Sequence, residues 1–401
     1  MVSRAVPAPV EVATDAPRAW LLALVLFCAG HFFVDLYSSA LGVLQPLLVD
    51  RLRLSFTQAG IIGAVLVSSS SVCQPLYGYL SDRYPSRLFS ALSPAVAGLF
   101  ICALLNAPGF GAVLAMVWLG GAGIASFHPQ GASNAVARIR TNRGRAMAFF
   151  ICSGSLGMAC GPAYFSAVLA RFGALALPWA AAPGLLLTGV MLAIMPPIER
   201  RASAGRKFDW APLRAVWRPL TILFLLVFIR SIVQITFTQF LPLYLHTQRG
   251  YSLSDASLSL SLYLLGGALG GFAGGNLADR FGGRCVIVAS MLGSVPFLAL
   301  FVFSTGVLSS AGLFLGGLVL LFTIPVNVVM AQELAPSQSG TVSALMMGFG
   351  WGTAGLLFIP LTGWISDHFS MQTAFAGLVL CPLVGFLLAL KLPHETRGLS
   401  A

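Results

Sequence analysis

Along its 401 residues the chain returns twelve times to an apolar run long enough to cross a bilayer. The runs lie near 19–49, 56–80, 87–106, 111–137, 145–170, 175–195, 219–246, 254–278, 285–304, 307–332, 340–366 and 371–391. A hydrocarbon core about 30 Å thick takes about 20 helical residues, and a helix satisfies its own backbone polar groups in lipid. The expected fold is therefore all-α and polytopic, with twelve transmembrane helices. Composition agrees: 9% of residues are charged and the mean hydropathy is +0.88, against about 25% charged in a soluble domain.

A net charge of +11 suggests nucleic acid until its distribution is followed. Arg51, Arg53, Arg171 and Arg249 fall in loops on one side, Arg230 falls inside a run, and the other basic residues fall on the side of the termini. By the positive-inside rule both termini are cytoplasmic, and the basic excess reports topology, not a nucleic-acid partner. Residues 1–18 lack the apolar core and cleavage site of a signal peptide and are expected to be a disordered cytoplasmic tail, as are residues 392–401. The seven cysteines are scattered singly, so neither disulfides nor a metal or other cofactor is expected.

The polar stretch 196–218 divides the runs six and six, and the halves 19–195 and 219–391 repeat the same landmarks. Around Pro46 the sequence LQPLL matches FLPLYL around Pro242. GYLSDRYPSR, from Gly78 to Arg87, matches GNLADRFGGR, from Gly275 to Arg284. Pro129 with Gly144 matches Pro325 with Gly340. These pairs keep one order at nearly one offset, which implies a parallel repeat of two six-helix bundles with a binding site between them near the midplane.

The pattern G-x-L-(A/S)-D-R, present at Gly78–Arg83 and Gly275–Arg280, resembles the cytoplasmic signature loop of the major facilitator superfamily. The resemblance covers essentially the whole chain after the tail, although Pro85 stands where glycine is usual. It implies that Asp82, Arg83 and Arg87, with Asp279, Arg280 and Arg284, form a conformational switch; the competing reading is charged helix ends that mark topology. Two segments, Ser126–Phe150 and Val328–Gly350, look like the fosmidomycin-resistance group of this superfamily. That resemblance implies proton-coupled drug export from a bacterial cytoplasmic membrane, with Gln130 standing where the group is commonly acidic. Gly157, Gly161 and Pro162 resemble the core of the antiporter motif of drug-exporting members, and helix packing explains them equally well.

Ionisable residues inside a span cost about 2.5–3.5 kcal/mol each on insertion scales, so each calls for a partner or a task. His31 and Asp35 are one helical turn apart on one face, near the middle of the first span. Arg230 lies at similar depth in the seventh, and the repeat offset carries Asp35 to its neighbour Ser231. Asp35 with His31 is expected to carry the coupling proton, facing Arg230 as an anion handle whose fork suits carboxylate or phosphonate. His128, Gln130, Gln234 and Asn327 are further candidates for substrate binding. A structural Asp35–Arg230 pair, and hydrogen bonds that merely join helices, remain open alternatives.

The leading function is a monomeric, proton-coupled exporter of a small anionic or polar compound, working by alternating access. Uptake by proton symport is the alternative. An enzyme or a sensor is disfavoured, since no HExxH or GxSxG motif appears and neither tail is long enough for an appended domain.

Overall fold

A computed structural model describes residues 17–84, 86–135, 139, 143–195 and 210–393. The N-terminal tail through residue 16, residues 196–209 of the linker, and residues 394–401 lie outside the described residues, as does the side chain of Asp82. Eleven described helices are long and apolar enough to cross a membrane, and a shorter apolar helix stands in the third position. In chain order they are α1 (Leu21–Leu52), α2 (Phe56–Ser81), α3 (Leu88–Cys102), α4 (Phe110–Ala135), α5 (Arg145–Phe172), α6 (Ala174–Ile194), α7 (Trp217–Arg249), α8 (Leu253–Phe281), α9 (Gly283–Phe303), α10 (Gly306–Leu334), α11 (Pro336–His368) and α12 (Met371–Ala389). The order is the one the apolar runs predict. At 1.5 Å per residue α3 reaches only about 22 Å, and the tighter turn Leu104–Asn106 extends it.

Local sequence sets several of the helix ends. Ser55 and Gln58 form a capping box at the start of α2, each side chain bonding the other's backbone. Ser252 caps α8 by accepting from the Asp255 amide at 3.0 Å. α7 ends on Gly250 with φ of 69°, the left-handed conformation glycine adopts most readily. An arginine at the end of the first helix of each half then ties the third. Arg51 donates to the Leu105 carbonyl beyond α3, and Arg249 donates to Phe301 and Ser304 carbonyls at the end of α9.

The side chains of α1–α6 enclose one hydrophobic core that runs from Leu24 to Met195. The α7–α12 half encloses two, and one of them also takes in Ala59, Val67 and Ala159 from the first half. Small residues bring backbones together inside each half. A Cβ at Gly157 or Gly161 of α5 would collide with the Phe32 or Leu36 carbonyl of α1. Gly266, Gly270 and Gly274 of α8 lie in the same way on the Phe314, Leu318 and Phe322 carbonyls of α10. Packing in lipid depends on such close approach, because tails are as apolar as leucine.

The halves meet toward the end opposite the termini. There α1 touches α7 at Gly42 and the Thr238 carbonyl, and Gly60 of α2 lies on the Ile359 carbonyl of α11. The Ala163 amide of α5 donates to Ser261 Oγ of α8 at 3.1 Å, and Ser166 Oγ donates to Ser254 Oγ at 3.2 Å. Asp367, at the last turn of α11, accepts from the Phe56 and Thr57 amides at 2.8 Å each and from Thr57 Oγ1 at 2.5 Å. It thereby satisfies donors at the N-terminus of α2 that have no partner within their own helix. Along the α2–α11 seam, Val72 packs against Gly352. At this level both helices take a π turn, Ser68–Val72 in α2 and Leu345–Gly350 in α11.

Candidate functional site

His31 and Asp35 stack one turn apart on α1, with His31 Nε2 3.3 Å from Asp35 Oδ2. From α4, His128 brings its Nε2 to 3.5 Å from Asp35 Oδ1. The third wall is α5. The Phe150 carbonyl lies 2.7 Å from His31 Nδ1, and the Phe150 ring stacks on the imidazole with centroids 4.2 Å apart. Gly154, one turn further along α5, sits directly under the pair; a Cβ there would meet both His31 Nε2 and Asp35 Oδ2. His31 and Asp35 are buried, whereas the His128 side chain is 24% exposed and forms the open edge.

This geometry fixes where protons sit. Nδ1 of His31 faces a carbonyl and must carry hydrogen, so in the neutral ring Nε2 offers only a lone pair. Facing a carboxylate oxygen, that lone pair is attracted only when one proton lies between them, on the imidazole or on the carboxyl. Phe150 therefore sets the tautomer of a side chain on a different helix.

A second polar group lies in the other half. Arg230 of α7 is only 5% exposed. Its Nη1 donates to Gln234 Oε1 at 2.6 Å, one turn along the helix, and its guanidinium carbon lies 5.7 Å from the centre of the Trp351 ring of α11. Its Nε has no hydrogen-bond partner, nor has the Tyr263 hydroxyl of α8, nor either side-chain polar atom of Asn327 on α10. Buried polar atoms are normally satisfied, so Arg230 Nε, the Tyr263 hydroxyl and the Asn327 amide each stand without a protein counterpart.

Asp35 and Arg230 each hold partners in their own half. Among the described residues no ion pair joins them; Asp35 is paired with the two histidines and Arg230 with Gln234. The physical reason lies in the helix paths. α1 and α7 touch at Gly42 and Thr238, about two turns beyond Asp35, and the earlier part of α1 packs on α4 and α5 instead. Gln130 also lies elsewhere. Its Oε1 accepts from Ser90 at 2.7 Å and its Nε2 donates to the Ser86 carbonyl, so both ends of its amide are engaged beside α3.

Of the residues expected to form a switch, Arg87 donates to the Met195 carbonyl at the end of α6, and Arg284 donates to the Leu390 carbonyl at the end of α12. These are equivalent contacts, each inside its own half. Arg83 lies over the Tyr84 ring at 5.9 Å, while Asp279 and Arg280 are exposed. Gly157 and Gly161 join α5 to α1, and Pro162 lies between them and the Ala163–Ser261 contact.

Sequence reasoning did not single out Phe150, Gly154, Tyr263, Trp351 or Asp367. Gly154 was findable, since Gly154, Gly157 and Gly161 follow the i, i+3, i+7 spacing of one helix face. Phe150 acts through its carbonyl, which no side chain reports.

The Major Facilitator Superfamily family model matches residues 27–347 and 223–401. The chain is 31% identical over 376 residues to the fosmidomycin resistance protein of Escherichia coli (strain K12), covering 89% of each. It is 30% identical over 404 residues to the uncharacterized MFS-type transporter YfnC of Bacillus subtilis (strain 168), covering 98% of each. Among solved structures, a bacterial homologue of the human lysosomal transporter Spinster, inward-facing and occupied, superposes with a TM-score of 0.81 at 13% identity, over 94% of this chain and 97% of that one. With its helices in the predicted order and its relatives matched over nearly their whole length, the chain belongs to the major facilitator superfamily and is a multi-pass membrane transporter.

Proposed function

We propose that this transporter exports a small anionic or polar compound in exchange for protons, working as a monomer in a bacterial cytoplasmic membrane with both termini in the cytoplasm. The observation that carries the reading is the division of labour between halves. One half holds the buried His31–Asp35–His128 cluster, and the other a buried arginine whose Nε has no hydrogen-bond partner. Arg230 supplies the positive charge and a bare N–H edge, Tyr263 and Asn327 supply further hydrogen bonds, and Trp351 covers the guanidinium face. A carboxylate or phosphonate satisfies such a set. The fosmidomycin resistance protein among its relatives supports export of such a compound.

Coupling follows from what loss of the proton does. Without it, a lone pair and a carboxylate face each other in a buried site, which costs several kcal/mol unless water or another cation enters. Deprotonation thus favours a state in which the cluster is opened. The movement has a route to the second half: α5 holds His31 through Phe150 at one level and α8 through Ser261 and Ser254 at another, and α8 carries Tyr263. With the termini in the cytoplasm, the contacts at Asp367 close the outer side, so this conformation opens inward.

The test uses energised everted membrane vesicles with an acidic lumen, reported by a quenched pH dye. Addition of fosmidomycin is expected to alkalinise the lumen only in vesicles that carry the protein. Acidification would reverse the direction and indicate symport. Absence of any response from folded, inserted protein would refute proton exchange with this compound.

A further inference from the structure

At Asp35, two nitrogen–oxygen pairs stand at the spacing a transition-metal ion imposes on neighbouring ligand atoms. Zn2+ holds imidazole nitrogen and carboxylate oxygen at about 2.0–2.2 Å, which puts tetrahedral ligand atoms about 3.3–3.5 Å apart. His31 Nε2 is 3.3 Å from Oδ2, and His128 Nε2 is 3.5 Å from Oδ1. One ligand atom from each of the three residues lies within 4.8 Å of the others. The outer shell has the matching form, because metal-bound histidines hand their second ring N–H to a carbonyl or carboxylate. His31 Nδ1 faces the Phe150 carbonyl at 2.7 Å, which leaves the Nε2 lone pair aimed into the cluster. The partly exposed His128 side chain gives the cluster an open edge.

We propose that His31, Asp35 and His128 bind one divalent transition-metal ion, which takes the place of the proton in the cluster. Two imidazoles and one carboxylate suit Zn2+, Co2+ or Ni2+, whereas Mg2+ and Ca2+ prefer oxygen alone. The site rests on coordination geometry and stands without the transport reading. Where that reading also holds, the bound ion ties α1 to α4 and leaves no proton to exchange, so Zn2+ inhibits transport.

The test is a Co2+ titration of the purified full-length protein in detergent, without substrate or gradient, followed by visible absorption. The expected result is one equivalent bound in a tetrahedral nitrogen/oxygen field. His128→Gln and Asp35→Asn are each expected to weaken binding about tenfold or more, while His368→Gln, an exposed histidine far from the cluster, leaves it unchanged. Thermal stabilisation by Zn2+ in wild type but not in a folded His128→Gln variant provides the second measurement. No bound Co2+, equal binding by His128→Gln, or a thiolate charge-transfer band overturns the proposal. Protein that binds Co2+ as expected but moves no protons in vesicles refutes the transport reading alone.

Discussion

Replacing Asp367 by alanine should shift this transporter toward the state open at the end opposite its termini. The carboxylate accepts three hydrogen bonds from Phe56 and Thr57, all of them across the two halves and two of them from backbone donors at the start of α2. Loss of a helix N-cap costs about 0.5–2 kcal/mol, and loss of a negative charge at a helix N-terminus about 0.3–1 kcal/mol. Asp367 is exposed, so screening holds both near the lower half of their ranges. The sum is about 1–2 kcal/mol, a shift of about 5- to 30-fold in the ratio of closed to open states. Asp367→Asn keeps one acceptor and loses the charge, and should fall between wild type and Asp367→Ala. Spin labels at Phe172→Cys and His368→Cys, in a background without the seven native cysteines, place one probe on each half at this end. Pulsed electron–electron distance measurement should show a longer-distance population that grows from wild type through asparagine to alanine. Identical distributions in all three folded proteins would refute the latch.

Other substitutions separate the two polar groups. Gly154→Ala pushes a methyl group against His31 and Asp35, an overpacking of about 1–3 kcal/mol; proton-coupled flux in vesicles should collapse while substrate still binds to purified protein. Asp35→Asn should abolish gradient-driven transport yet preserve binding, measured by calorimetry. Arg230→Gln should weaken anionic compounds far more than neutral ones, and equal losses would point to a folding defect. Trp351→Leu removes a contact worth about 0.5–2 kcal/mol, so anion affinity should fall about 2- to 30-fold.

The positions of the helices were legible because each must supply its own hydrogen bonds in lipid, which writes span length directly into the sequence. His31 with Asp35 was equally visible, since one turn of α1 brings them together whatever the rest of the chain does. What joins different helices was not. The repeat offset put Asp35 and Arg230 at one depth, but depth along two helices does not set the distance between them, and each found partners in its own half. Asp367 reads as an ordinary charged helix end, and only the approach of α2 reveals that it receives another helix's amides. Phe150 and Trp351 are two aromatics in a chain rich in them, and their roles depend on which neighbour the fold delivers.

The π turn in α2 falls on Ser68–Val72 and takes in a run of four serines, Ser68–Ser71. A π turn is one extra residue lodged in an α-helix, so moving it by a position rotates the side chains it passes by about 100°. In most sequences that rotation exchanges unlike groups between buried and open faces. Along Ser68–Ser71 it exchanges serine for serine, and the chemistry of each face is conserved. The sequence is degenerate where the helix is irregular, which makes this stretch the point of α2 where register is cheapest to change.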